Sequence, residues 1–236
     1  MKPVVLIAVN FVREQRWPIF VLLLWVLLLA FLGLITEVPR GRDDLLFVFK
    51  QVAVYAVVFS IFFGGSAIYN ERRSRRILAV LAKAVAREQY LSGLVFGVTL
   101  ACGIYCFSLG ITGSWTLGQA GFPALQVWFL MMCLLAACML AGTVALMFST
   151  FLNPFFSAGA TAFLLGVPAV ASRTLSTHWG YLLPVYSLTA TVLKTTFDSP
   201  GSVTWLPVAW AFGETLLFWF LAARIFSRVD IAVAVE

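Results

Sequence analysis

The chain has 236 residues, of which 62% are hydrophobic and only 11% are charged. Its mean hydropathy is +0.99. This composition leaves too little polar surface for a water-soluble domain, and it predicts a single all-α, polytopic membrane domain over residues 1–236. The net charge of +6 is concentrated at the edges of apolar segments. We therefore interpret the charge as a topology signal and expect no binding of nucleic acid.

The N-terminal residues predict an interfacial helix that precedes the first membrane span. The apolar segment 3–17 is interrupted by Arg13, Glu14 and Arg16, so it is too short to cross and should lie along the cytoplasmic face. Beyond it, apolar runs of about 17 to 25 residues are long enough to cross a bilayer. They predict six transmembrane helices, at 18–35, 47–69, 91–111, 124–148, 154–171 and 205–226.

The segment 70–90, between the second and third spans, is the longest polar interruption and holds six of the sixteen basic residues. On a helical wheel of about 100° per residue, four basic side chains fall within a sector of about 60°, opposite an apolar face. This pattern predicts a basic amphipathic helix. A loop that only rests on anionic lipid headgroups has the same pattern. The basic set is Arg72, Arg76, Lys83 and Arg87, and the apolar set is Ile77, Leu78, Leu81 and Val85.

Three further connections follow the third span. An uncharged stretch at 112–123 predicts a turn before the fourth span, and a short turn separates the fourth span from the fifth. The segment 172–203 is too polar and too broken for a full span, yet too apolar for an ordinary loop. We expect short broken or re-entrant helices there, on the outer side, with their ends covered by protein.

The distribution of basic residues predicts the orientation of the chain. With six spans and the N-terminus inside, eleven of the basic residues lie on the cytoplasmic side and five lie outside. Cytoplasmic segments of membrane proteins carry the excess of Lys and Arg. We therefore expect both termini and the basic loop to be cytoplasmic.

Glu214 is the one ionisable residue near the middle of a predicted span. A carboxylate at this depth costs a few kcal/mol, so it should face other helices or a cavity, or be protonated. Three interpretations remain open. It is a neutral side chain hydrogen-bonded to a neighbouring helix, a residue of a substrate path or gate, or a proton-coupling group.

Catalytic and metal-binding motifs are absent from the sequence. The four cysteines lie inside predicted spans and resemble small packing residues, without the His or carboxylate neighbours of a metal site. The phosphate-binding motif G-x-x-x-x-G-K-[ST] and the common hydrolase motifs are also missing. We predict no catalytic residue, no metal and no cofactor bound by this chain, which is not an enzyme by itself.

The basic loop resembles the loop between the second and third spans of type-2 ATP-binding-cassette (ABC) transporter permeases. In that family an acidic residue opens the loop, a short helix follows, and an Arg-x-x-Tyr/Phe-Leu-x-Gly stretch leads into the third span. Glu71, Arg87, Tyr90, Leu91 and Gly93 stand at the matching places. The number and spacing of the predicted spans over the rest of the chain also fit this family.

The resemblance implies a permease subunit of an ABC exporter in the bacterial inner membrane. Its partners would be membrane lipids, a second permease chain, expected to be identical, and a separate ATPase subunit that binds ATP and Mg. The apolar spans favour export of a hydrophobic or lipid-like substrate. The loop would dock on the ATPase as a coupling helix through Glu71, Arg72, Arg76, Leu81, Lys83 and Arg87.

Two other classes of function remain open. The chain could be a membrane scaffold, immunity or assembly factor without an ATPase, whose basic loop simply holds to anionic lipid. It could also be an ion- or proton-coupled carrier that uses Glu214, although the sequence shows no inverted repeat of the kind found in many such carriers.

Overall fold

The computed structural model describes residues 2–35, 42–73, 85–119, 121–174 and 205–228. Within these ranges the chain is helical throughout, apart from short turns, which confirms the predicted all-α class. The seven helices are α1 (Lys2–Glu14), α2 (Arg16–Ile35), α3 (Arg42–Arg73), α4 (Arg87–Gln119), α5 (Ala124–Ser149), α6 (Pro154–Thr174) and α7 (Leu206–Arg228).

Helices α2 to α7 each contain one predicted span, and α1 corresponds to the predicted N-terminal helix. In the part of the chain that the structure describes, four helices are long and apolar enough to cross a membrane, namely α3, α4, α5 and α7. Helices α2 and α6 contribute the shorter apolar stretches Arg16–Leu28 and Pro154–Val167. Four candidate spans are therefore established by length and composition, and the crossings of α2 and α6 stay predictions.

Two predicted segments fall largely outside the described residues. Residues 74–84 of the basic loop 70–90 lie outside them, while 70–73 form the last turn of α3 and Arg87 begins α4. In the outer segment 172–203, residues 172–174 form the end of α6 and the rest lies outside the described ranges. The coupling helix and the broken outer segment thus stay predictions.

Helix α4 continues past the predicted end of its span, through residues that we expected to form a turn. Its polar side chains bond back to the helix: the Thr112 hydroxyl donates to the Ser108 carbonyl (3.1 Å) and the Thr116 hydroxyl donates to the Thr112 carbonyl (3.0 Å). Hydroxyls satisfied in this way do not break a helix. The turn expected over 112–123 is therefore confined to the residues after Gln119.

The end of α4 is fixed by a left-handed glycine. Gly121 has φ +82°. Its N–H donates to the Gly118 carbonyl (3.1 Å), and the N–H of Phe122 donates to the Leu117 carbonyl (3.1 Å). These two bonds form the Schellman arrangement, in which a residue with positive φ closes the helix. Leu117 and Phe122 are both buried, as the hydrophobic contact of this motif requires.

Helix α5 is the centre of the bundle. It packs against α3, α4, α6 and α7, while α1 and α2 pack mainly on α4. Its buried residues point in every direction around the helix axis, and the run from Leu140 to Met147 is buried throughout. A helical stretch that is apolar and buried on all sides, as this second half of α5 is, belongs to the interior of a bundle.

Small residues allow three helices to approach closely. A Cβ atom at Gly64 of α3 would overlap the carbonyl oxygen of Gly142 in α5. The Ser60 hydroxyl of α3 donates to the Cys138 carbonyl. In the same region the Ser157 hydroxyl of α6 donates to the Ala145 carbonyl (2.7 Å). Small residues and interhelical hydroxyl bonds are the usual basis of helix association in membranes, where hydrophobic burial supplies little driving force.

Candidate functional site

The clearest polar contact near the basic loop joins the start of α4 to the end of α7. Nη1 of Arg87 donates to the carbonyl oxygens of Phe226 (3.0 Å) and Ser227 (3.1 Å). The last carbonyls of a helix have no intrahelical partner, and they favour positive charge. Arg87 therefore acts as a side-chain cap for the C-terminus of α7.

Aromatic packing surrounds this cap. The ring of Tyr90 stacks on that of Phe226, with centroids 6.4 Å apart and an interplanar angle of 19°. The guanidinium carbon of Arg87 lies 5.9 Å from the centroid of the same Phe226 ring. Tyr90 and Phe226 are almost fully buried, at 1% and 0% exposure. The start of α4 and the end of α7 are consequently held together by a buried core as well as by hydrogen bonds.

The N-terminal helix packs beside this junction. Ile7 and Phe11 of α1 sit against Gly93 and Gly97 of α4, where an added Cβ would lie 2.7 Å and 2.9 Å from their side chains. Phe11 is buried, as is Ala8 on the same face. Because α1 rests in a glycine notch of α4, the first turns of α4 contact both the N-terminal and the C-terminal helices.

The other predicted coupling residues are placed less fully. Glu71 and Arg72 belong to the last turn of α3, for which only the backbone is described. Arg76, Leu81 and Lys83 lie outside the described residues. Of the six predicted positions, the structure therefore locates one side chain, that of Arg87, and gives it a structural partner within the chain.

Glu214 lies at the border between the packed and exposed faces of α7. It is half-buried, and its neighbour Thr215 is buried and donates its hydroxyl to the Ala211 carbonyl (2.7 Å). One turn away on either side, Trp210 is 46% exposed, whereas Phe218 packs on a buried apolar cluster to which α5 contributes most of the residues. The carboxylate thus lies where α7 leaves the bundle interior, and its role as a gate or path residue stays a prediction.

The structure also brings together residues that no sequence pattern connects. The contact between Arg87 and Phe226 spans 139 positions, and no local pattern indicates it. The small residues Ser60, Gly64 and Gly142 carry a weak signal, because small residues four apart on apolar helices often mark a crossing. Among the described residues, no group of three or more His, Cys, Asp or Glu side chains could hold a metal ion.

Comparison with known proteins assigns no family to this chain. No protein-family model matches it, and neither a curated protein nor a solved structure matches it.

Proposed function

We propose that this chain is the membrane-spanning permease subunit of an ABC exporter, driven by a separate ATPase subunit. The observation that carries the proposal is the contact of Arg87 with the last carbonyls of α7. Arg87 belongs to the last part of the basic loop 70–90 and is the first residue of α4. A force applied to the loop would therefore reach two membrane helices at once, as a coupling element requires.

The mechanism follows the contacts from the loop into the bundle. ATP-driven closure of a pair of ATPase subunits would move the basic loop of each permease chain and, with it, the start of α4. The contacts of Arg87 and Tyr90 with Phe226 would carry that movement to the end of α7. Glu214 lies 12 residues earlier on the same helix, about 18 Å along its axis. A tilt of α7 would change the surroundings of this carboxylate.

The partners and location follow from the same proposal. Two permease chains, identical to each other, would enclose a path for a hydrophobic or lipid-like substrate in the bacterial inner membrane. Both termini and the basic loop would be cytoplasmic, where an ATPase can reach them. The composition supports an apolar path, because few charged side chains lie within the helices that could cross the membrane.

The experiment is affinity purification of the detergent-solubilised protein from its native membrane, followed by mass spectrometry of the proteins that accompany it. We expect recovery of a subunit with ATP-binding-cassette motifs. Arg72→Glu combined with Arg76→Glu should reduce that recovery by at least tenfold. The matched control is Arg224→Glu with Arg228→Glu, which reverses two charges at the end of α7 and should leave recovery within twofold of the unmodified protein.

The outcomes separate the proposed function from its main alternative. Recovery of the chain alone, or with a partner that lacks ATPase motifs, would refute the exporter proposal and favour a scaffold, immunity or assembly factor. Equal loss of the ATPase in both double variants would show that general charge, and not the loop, holds the partner. Arg87 is left unchanged because its substitution would also remove the cap of α7.

A further inference from the structure

Two concavities lie beside α2, one where it meets α1 and the other between it and α3. The first has a volume of about 540 Å³ and is lined by Asn10, Arg13, Glu14, Arg16 and Trp17 at the junction of the two helices. The second is an apolar groove of about 420 Å³ between α2 and α3. Its lining includes Val21, Leu24, Trp25 and Leu28 of α2, and Tyr55 and Phe59 of α3.

The two concavities share one face of α2. Trp17 lines the polar one, and Val21, Leu24 and Leu28 line the groove. Residues spaced by four, three and four positions form a single stripe on a helix. From Trp17 to Leu28 this stripe is about 16 Å long. That length is close to one leaflet, or half of a hydrocarbon core of about 30 Å.

Among the described residues, side chains leave the groove open. Helix α2 makes its main contacts with α4. Across the groove, Trp25 of α2 meets Tyr55 of α3 edge to face, with centroids 6.4 Å apart and an interplanar angle of 85°. Trp25 and Tyr55 are both more than 40% exposed. An acyl chain between α2 and α3 would supply the packing that the helices do not give each other.

The polar concavity carries a net positive charge. Arg13 and Arg16 are exposed, and a single carboxylate, that of Glu14, lines the concavity with them. Nδ2 of Asn10 donates to Oε1 of Glu14 (2.9 Å), which directs this carboxylate along its own helix. Guanidinium groups match the geometry of phosphate oxygens. Trp17 is 67% exposed beside them, and tryptophan favours the headgroup level of a bilayer.

We propose that the two concavities together bind one anionic phospholipid of the bilayer. Its phosphate contacts Arg13 and Arg16, and one acyl chain occupies the groove between α2 and α3. The lipid is a bound component of the protein rather than its transported cargo. The lipid site does not depend on the exporter function. Its residues belong to α1, α2 and α3, whereas the exporter proposal is carried by the contact between Arg87 of α4 and the end of α7.

The test is a lipid titration of the purified protein in detergent, followed by native mass spectrometry. The probe is palmitoyl-oleoyl phosphatidylglycerol. Arg13→Gln with Arg16→Gln should weaken its binding roughly 25-fold, since each basic residue near an anionic headgroup contributes roughly fivefold. The matched control is Arg224→Gln with Arg228→Gln, exposed arginines of α7 outside the site, whose binding should stay within twofold of the unmodified protein.

A second pair of variants tests the groove. Trp25→Ala should weaken binding of the same lipid roughly tenfold by removing a wall of the groove. The control Trp115→Ala removes a tryptophan of α4 that is 49% exposed, compared with 43% for Trp25. It should have no effect on lipid binding. Glycerol phosphate, which has the phosphate without the acyl chains, should not displace the lipid. Palmitoyl-oleoyl phosphatidylcholine should bind more weakly than the anionic lipid.

Several results would overturn the proposal. The first is an equal loss of phosphatidylglycerol binding in the two double arginine variants, and the second is unchanged binding in Trp25→Ala. The others are displacement of the lipid by glycerol phosphate and equal affinity for the two phospholipids. Thermal unfolding without added lipid checks that each variant is folded. If the double arginine variant fails this check, Arg16→Gln alone provides the measurement, with an expected loss of roughly fivefold.

Discussion

Replacement of Arg87 by alanine should loosen the end of α7, although Arg87 and Phe226 lie 139 positions apart in the chain. The change removes two hydrogen bonds from a charged donor to the carbonyls of Phe226 and Ser227. It also removes the packing of the guanidinium on the Phe226 ring. Nothing in the altered helix α4 replaces these contacts, so the carbonyls of α7 lose their cap.

The magnitude follows from the geometry. A hydrogen bond to a charged group contributes about 1.5 to 3 kcal/mol to stability. Arg87 is half-buried, so solvent competes for both bonds and lowers their sum. We expect a loss of about 2 kcal/mol for Arg87→Ala, which corresponds to roughly 30-fold in the opening equilibrium of the last turn. Arg87→Lys keeps the charge without the planar fork, and it should lose about half as much.

Hydrogen exchange measures this effect directly. The backbone amides of residues 225–228 should exchange roughly 30-fold faster in Arg87→Ala, because they become accessible when the last turn of α7 opens. The control is Arg224→Ala, which removes an exposed arginine of α7 that stacks on Phe220, with 5.1 Å from its guanidinium carbon to the ring centroid. Equal exchange in the two variants would refute the capping role of Arg87.

Two glycine substitutions, each with a control at another glycine, test the packing and the turn. Gly64→Ala places a Cβ atom against the backbone of α5 and should destabilise the protein by about 1 to 3 kcal/mol. In the control Gly159→Ala the added Cβ meets open space, so the change should be neutral or stabilising by up to about 1 kcal/mol. Similar unfolding midpoints of the two variants in detergent would contradict the close crossing of α3 and α5. In Gly121→Ala the new alanine must adopt φ +82°, which should cost about 1 kcal/mol of stability. The control Gly118→Ala lies inside α4 and should gain stability. A higher unfolding midpoint for Gly121→Ala than for Gly118→Ala would contradict the left-handed turn.

Hydropathy predicted the positions of the helices because the apolar run is a local property that the chain carries in its sequence. The ends of helices were less predictable. The stretch after Ile111 contains Gly, Ser and Thr, which favour turns in water, but Thr112 and Thr116 bond to carbonyls of their own helix and α4 continues. To predict where a helix ends in an apolar environment, one must therefore know which carbonyl each hydroxyl donates to.

The candidate site was predictable only in part. The sequence indicates a basic loop and, at its end, a stretch that resembles the Arg-x-x-Tyr/Phe-Leu-x-Gly pattern. It does not indicate that Arg87 donates to α7, because the acceptors are backbone carbonyls that any residue provides. The lipid groove was also beyond the sequence, since it depends on how far α2 lies from α3. Contacts between distant segments are set by the packing of the whole bundle.

The burial of the Leu140–Met147 stretch of α5 on all sides has a consequence for the order of assembly. Synthesis proceeds from the N-terminus, so α5 exists before α6 and α7, which cover two of its sides. During that interval, the surface that these helices later cover faces lipid. An apolar surface with small residues is compatible with lipid and later with protein. The interior of the mature bundle is therefore also a surface that the nascent chain can expose safely to the bilayer.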